Sequence, residues 1–334
     1  MRKLLALLLA MFIVVSFVGC SSDDDSDPTG PASVNPSANF TSVLNAMNSF
    51  IDTTSIVVSA TTLEANLTNA NWAILSVRSA THYSTNGHIP GAYNIPWQQV
   101  ADTNQIALLN TITANKSKRL VVYCYTGHTG GLATGVLAAL GYNTINLKYG
   151  MVGWTTDATA RATTGFYTPG VTAIAGTVET TYNALSDYNA YPEPGVYAGY
   201  AGQSFIRQVA KNYLSTAAAT VEARVVDSLR QTATPPFILD IRDSATYAAG
   251  HIPGARNIPF RDLNDAAKLR HLPPDRDIVL YCFTGHSGAE ATAMLNLLGY
   301  KVKNLKFGYA SWIDNPNYYN PAPVLRNVNT GINP

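Results

Sequence analysis

Two ten-residue segments of this 334-residue chain carry the residue types for nucleophilic chemistry, and they are near-copies of each other. Val121-Val122-Tyr123-Cys124-Tyr125-Thr126-Gly127-His128-Thr129-Gly130 recurs 158 residues later as Val279-Leu280-Tyr281-Cys282-Phe283-Thr284-Gly285-His286-Ser287-Gly288. In each, an apolar run ends in a lone cysteine, small and polar residues follow, and an apolar helical pattern begins. That order reads as strand, tight loop, helix. Such a loop turns successive backbone N–H groups and a helix N-terminus toward one thiol, which stabilises an anion. The anion is either the thiolate or a thiolate that has taken up a second sulfur. Thiolate is the reactive form of cysteine, so the loop has to favour it.

The elements that must position these loops are also repeated. Ile74-Leu75-Ser76-Val77-Arg78 matches Ile238-Leu239-Asp240-Ile241-Arg242, and Gly87-His88-Ile89-Pro90-Gly91-Ala92 returns unchanged at 250–255. Asn146-Leu147-Lys148-Tyr149-Gly150 returns as Asn304-Leu305-Lys306-Phe307-Gly308, and Trp154 and Trp312 each lie 30 residues beyond their cysteine. Phe40 and Phe205 open similar amphipathic lead-in stretches. The pattern is a tandem duplication of a domain of roughly 120 residues, longer than solenoid units. Strands are expected at 56–59, 74–77, 120–123 and 144–147, and a helix at 131–140 ended by Gly141, with counterparts in the second copy. Alternating strands and helices predict an α/β fold with a parallel sheet covered on both faces. Each cysteine then sits at a strand's C-terminal end, where open α/β sheets place ligands. The expected segments are 1–19 as a signal, 20–38 as a flexible tether, 39–155 and 204–313 as the two domains, 156–203 as a linker and 314–334 as a tail. The tyrosines of the linker predict that it packs onto a domain, and the tail is expected to wrap back likewise.

Together these motifs resemble the rhodanese family. The pattern in the second copy is Asp240-x-Arg242, 250–255, Cys282-x-Thr-Gly-His-Ser287 and Gly308 with Trp312; the first copy carries the same set, and the resemblance covers about 54–155 and 217–313. It implies a five-stranded parallel sheet flanked by helices, in tandem, and sulfur transfer through a cysteine persulfide with no cofactor and no metal. Carried over, Cys124 and Cys282 are the sulfur acceptors, and the amides of Tyr125 to Thr129 and Phe283 to Ser287 hold the terminal sulfur. Gly127 and Gly285 permit the curl, and Thr129 and Ser287 offer hydroxyls. His128 and His286 either add positive charge as imidazolium or face solvent. Arg78 and Arg242 are read as ion-pair anchors of the fold, although Ser76 stands where the second copy has Asp240. His88 and His251 are read as turn residues bonding backbone, Trp154 and Trp312 as core or rim, and Lys148 and Lys306 as solvated surface. Neither loop carries Arg or Lys, which some family members use for thiosulfate, so polysulfide or a small persulfide is the favoured donor and a thiol the acceptor. Both copies keep their cysteine, so both are expected to be competent.

Competing classes are narrowed by the same residues. Cysteine phosphatases and arsenate reductases need an Arg that grips oxyanion oxygens; Gly130 and Gly288 occupy that position. A non-catalytic, rhodanese-shaped subunit of an outer-membrane or envelope complex is the other reading. Net charge is +1 and only 13% of residues are charged, with no basic stripe for nucleic acid. At the N-terminus, Arg2 and Lys3 precede an apolar run ending at Gly19-Cys20, the layout of a secretory signal. It resembles a bacterial lipoprotein signal with Phe17-Val18-Gly19-Cys20 as its lipobox, Phe17 standing where Leu is usual. That implies acylation of Cys20, a membrane anchor and, from Ser21, the outer membrane. Cys124 and Cys282 then remain, in matching loops of separate domains, where a structural disulfide is geometrically awkward.

Overall fold

The structure is a computed structural model that describes residues 34–53, 55–161, 173–216, 219–315, 324 and 326–330. The signal and Cys20 lie outside the described residues. Among the described residues, no helix is long and apolar enough to cross a membrane.

In the first domain the helices are α1 (Ala38–Ile51), α2 (Ala60–Glu64), α3 (Ala80–Thr85), α4 (Thr103–Ile112), α5 (His128–Ala139) and α6 (Gly150–Trp154). Its strands are β1 (Val57–Val58), β2 (Trp72–Ser76), β3 (Ala92–Asn94), β4 (Arg119–Tyr123) and β5 (Thr144–Leu147). The second domain repeats the series with α7 (Gly202–Leu214), α8 (Ala223–Leu229), α9 (Ser244–Ala249), α10 (Ala266–Leu269) and α11 (His286–Leu297). Its strands are β6 (Thr220–Val221), β7 (Phe237–Asp240), β8 (Arg256–Asn257), β9 (Asp277–Tyr281) and β10 (Lys301–Leu305). Each domain is one parallel five-stranded sheet, ordered β1-β5-β4-β2-β3 and β6-β10-β9-β7-β8. The α/β expectation holds, and the reason is visible in β4 and β9. Helices cover both sheet faces, so four of the five residues in each of these strands are buried and the sequence reads as a continuous apolar run.

Two differences from the sequence expectation have simple causes. β3 and β8 follow the Gly-His-Ile-Pro-Gly turn at once and are only three and two residues long, too short for a period to show. The central helix starts at His128 rather than 131, because Gly127, at φ +88°, turns the chain straight into it. Gly130 and Gly131 do not break that helix, since tertiary packing outweighs their low propensity.

The two domains interlock. Phe40 of α1 packs on Tyr191 and Tyr300, and Asn264 donates to the Asp52 carboxylate, so the first lead-in helix reaches the second domain. Reciprocally, α7 packs against the 97–99 turn of the first domain. The segment after the first domain runs along the second: Trp312 Nε1 donates to Thr177 O and Glu179 bridges His251. The segment after the second runs along the first: Trp154 Nε1 donates to Asn327 O and Asn329 bridges His88. Tyr188, Tyr191 and Tyr197 of the linker lie half-buried against the core.

Candidate active site

Cys124 and Cys282 follow directly on β4 and β9, each 5% exposed and neither in a disulfide. The chain curls so that Gly127 N–H reaches Cys124 Sγ at 3.1 Å, and Gly285 N–H reaches Cys282 Sγ at 3.1 Å. Gly288 N–H adds a second contact to Cys282 at 3.3 Å. The curl depends on Gly127 and Gly285 at φ +88° and +83°, a conformation that costs other residues about 1–2 kcal/mol. Directly after them, α5 and α11 begin, so their N-terminal partial positive charge falls on the loops. Tyr125, Thr126 and Gly130 are buried, as are Gly285 and Gly288, while Thr129, Phe283, Thr284 and Ser287 are half-buried.

A second turn braces each loop from beneath. Tyr149 and Phe307 adopt φ +63°, and Gly150 and Gly308 follow at +50° and +55°. Their successors donate to the cysteine loop: Met151 N–H to Cys124 O, Val152 N–H to Tyr125 O, Tyr309 N–H to Cys282 O and Ala310 N–H to Phe283 O. Asn146 and Asn304 pin the loops from the side, Nδ2 donating to Gly127 O and Gly285 O, each at 2.9 Å. They also explain why glycine stands where an oxyanion-binding Arg would. A Cβ on Gly130 would lie 2.9 Å from Asn146 Oδ1, and one on Gly288 2.5 Å from Asn304 Oδ1.

The histidines differ from both sequence readings: His128 and His286 neither face solvent nor carry charge. Each lies between the two loops, 4% and 2% exposed, the rings stacked 5.6 Å apart. His128 Nε2 accepts the N–H of Phe307 at 3.1 Å, and His286 Nε2 accepts that of Tyr149 at 2.9 Å, both across the domain interface. Each Nε2 also faces a carbonyl of the opposite loop, His128 Nε2 at 3.3 Å from Thr284 O and His286 Nε2 at 3.1 Å from Thr126 O, so each ring joins the two loops through both an amide and a carbonyl. Each Nδ1 hydrogen-bonds with the threonine of its own loop: Thr126 Oγ1 lies 2.9 Å from His128 Nδ1 and Thr284 Oγ1 2.8 Å from His286 Nδ1. Burial pushes the His128 imidazole down to about 4. His286 is pushed well below the usual range by burial, then by His128 and Lys148. Sequence alone could not find this, because each ring's partner is in the other domain.

Arg242 and Asp240 form a buried bidentate pair, with Nη2 2.5 Å from Oδ2, and Arg242 Nη2 also donates to Gly250 O. Arg78 lacks that carboxylate; its Nε donates to Ser76 Oγ and its Nη2 to Gly87 O. Both arginines sit over loop aromatics, Arg78 over Tyr125 and Arg242 over Phe283. His88 and His251 bond the carbonyls of Tyr83 and Tyr247 in their turns. Trp154 and Trp312 are core residues. Lys148 is exposed, and Lys306 lies 3.6 Å from Glu222.

Comparison with known proteins is consistent with this geometry. A rhodanese-like domain family model matches residues 59–157 and 222–315. A sulfurtransferase of Allochromatium vinosum is 37% identical over 77 residues, 23% of this chain and 70% of that protein. The HTH-type transcriptional regulator Rv0324 of Mycobacterium tuberculosis is 39% identical over 85 residues, and this chain spans 37% of its length. Among solved structures, the thiosulfate sulfurtransferase of Pseudomonas aeruginosa aligns over 86% of this chain and 70% of that one, at 17% identity and a TM-score of 0.29. With more than half of its length matched by the family model, the chain belongs to the rhodanese family, with two rhodanese-like domains in tandem.

Proposed function

We propose that the protein is a sulfurtransferase that moves sulfane sulfur from thiosulfate, polysulfide or a small persulfide to a thiol or cyanide, through a persulfide on Cys282 and on Cys124. The thiolate attacks the donor's outer sulfur; one S–S bond forms at the cysteine as the donor's own S–S bond breaks, and sulfite or the shortened sulfur anion leaves. The acceptor then attacks the terminal sulfur, takes it, and returns the thiolate. The observation that carries this reading is the contact of loop amides with each sulfur, 3.1 Å at both sites. Those donors are oriented before the reaction, so they stabilise sulfur anions without reorganising. The absence of Arg and Lys from both loops favours polysulfide or a small persulfide over the thiosulfate dianion. Incubation with each donor followed by cyanide tests the reading: thiocyanate forms with the unmodified protein, and none forms once Cys124→Ser and Cys282→Ser are combined.

The same proposal places the protein on the bacterial cell envelope, anchored through acylated Cys20, on the outer membrane's periplasmic or outward side. Labelled fatty acid should enter the protein and be absent from Cys20→Ala. A second reading, a non-catalytic subunit of an envelope complex, is favoured by the exposed linker side chains Val178, Tyr182, Val196 and Tyr200. A scaffold would keep its cellular role without either loop cysteine.

A further inference from the structure

The carbonyls that the two loop histidines face belong to the same peptide units that serve the sulfurs. Thr284 O, 3.3 Å from His128 Nε2, and Gly285 N–H, 3.1 Å from Cys282 Sγ, are opposite ends of one unit. Thr126 O, 3.1 Å from His286 Nε2, and Gly127 N–H, 3.1 Å from Cys124 Sγ, are opposite ends of the other. A trans peptide unit is planar, with its C=O and N–H pointing opposite ways. A group that holds the oxygen in place therefore fixes the direction of the N–H. The remaining contacts of each ring act on the same loop. His128 Nε2 lies 3.1 Å from Phe307 N, and the Phe307 ring meets the imidazole edge-on at 4.8 Å. Phe307 opens the turn whose next amides, of Tyr309 and Ala310, hold Cys282 O and Phe283 O. A Cβ on Gly285 would be 2.6 Å from His128 Nε2, so the ring fills the space beside that α-carbon. His286 repeats the arrangement on the first site, 2.9 Å from Tyr149 N and 2.6 Å from a Cβ on Gly127.

We propose that His128 and His286 are positioning residues exchanged between the domains: each orients, in the other domain, the amide that meets the sulfur. His128 thus serves Cys282 and His286 serves Cys124, so each site is completed by the loop of the other. The proposal rests on the cysteine chemistry above and adds no bond to sulfur. Each imidazole is tied to its own loop through Nδ1 and a threonine hydroxyl, and stands with Nε2 against the far end of the opposite peptide. That peptide cannot turn its N–H off the sulfur without driving its oxygen or its α-carbon into the ring. The stored orientation is what lets the amide stabilise a sulfur anion without reorganising.

Iodoacetamide alkylation of the full-length chain, followed by peptide mass from about pH 5 to about pH 10, reads each cysteine separately. The midpoint of each rate profile reports thiolate stability, whereas a change in access alters only its plateau. His128→Leu should raise the Cys282 midpoint by about 0.5–1 pH unit, a three- to ten-fold loss of thiolate below it, and move Cys124 less. His286→Leu should do the reverse. Glutamine, whose amide both accepts and donates, should restore at least half of each shift. A larger shift at the cysteine of the variant's own loop, equal shifts at both, or none overturns the proposal; so does glutamine behaving as leucine. Should the leucine variants misfold, ring ¹⁵N resonances of the cysteine variants are the independent reading. Cys282→Ser should move the His128 Nε2 resonance, and Cys124→Ser that of His286. A His128 resonance indifferent to Cys282 overturns the proposal equally. Because neither measurement needs a sulfur donor, inactivity as a sulfurtransferase and failure of this crossed positioning give distinct results.

Discussion

Among the described residues, Cys282 receives two loop amides where Cys124 receives one. Residue by residue, the copies have been kept alike in the loops and have diverged around them. The Asp240–Arg242 pair is the clearest case. Asp240→Ala would leave Arg242 buried without its charge partner, at a cost of about 3–5 kcal/mol. Ser76→Ala in the first domain removes one hydrogen bond and should cost about 1 kcal/mol. Urea denaturation of the two variants measures the difference, and equal losses would mean that the pair contributes no more than the serine. Gly127→Ala places a Cβ 2.4 Å from His286 Cδ2 at φ +88°, so roughly 2–4 kcal/mol is expected. Gly91→Ala, at φ +74° with nothing within 4 Å, should cost only the backbone strain of about 1–2 kcal/mol. The cysteines, the loop glycines and the Arg–Asp pair were legible because their roles are local or repeated. Asn146 and Asn304 were not, because what each does depends on a loop carbonyl brought near only by folding.

At the scale of elements, α5 and α11 explain why the loops lie together. A Cβ on Gly131 would be 2.8 Å from Ala289 Cβ, and one on Gly135 would be 3.0 Å from Ala293 Cβ. Corresponding positions therefore meet in register, so the helices run side by side in one direction. Small residues at that seam let the backbones approach closely, and both N-termini arrive at the same place. Their partial charges reinforce each other at the sulfur sites. Gly135→Val should wedge the seam open, costing about 1–3 kcal/mol and slowing alkylation of both cysteines together. A change at one cysteine alone would show that the seam does not position the loops. Sequence disclosed that these segments were helical and apolar. It gave no face, because burial on all sides leaves no polar stripe to mark one.

For the whole molecule, the crossed lead-in helices and the exchanged straps make the domains one unit, with the histidines at its centre. An imidazole pushed down by burial binds its proton more readily in the unfolded chain, where its pKa is near 6.5. Its contribution to stability is therefore complete above about 6.5 and is lost as pH falls toward about 4. For His128 the loss is about 3 kcal/mol, and His286 adds to it in the same direction. The thermal midpoint should fall across that window, and less steeply in His128→Gln with His286→Gln; an equal fall would place the sensitivity elsewhere. The duplication was readable in the sequence, whereas the meeting of its two sites was not, since nothing in either copy names the face it presents to the other.

The central claim is that both cysteines carry sulfur, and intact mass tests it most directly. The protein lacking residues 1–20 is weighed after thiosulfate or polysulfide, and again after cyanide. The account expects a cyanide-reversible gain of sulfur on Cys282 and on Cys124, absent when both are serine. No gain with either donor, on folded protein with free thiols, would contradict it.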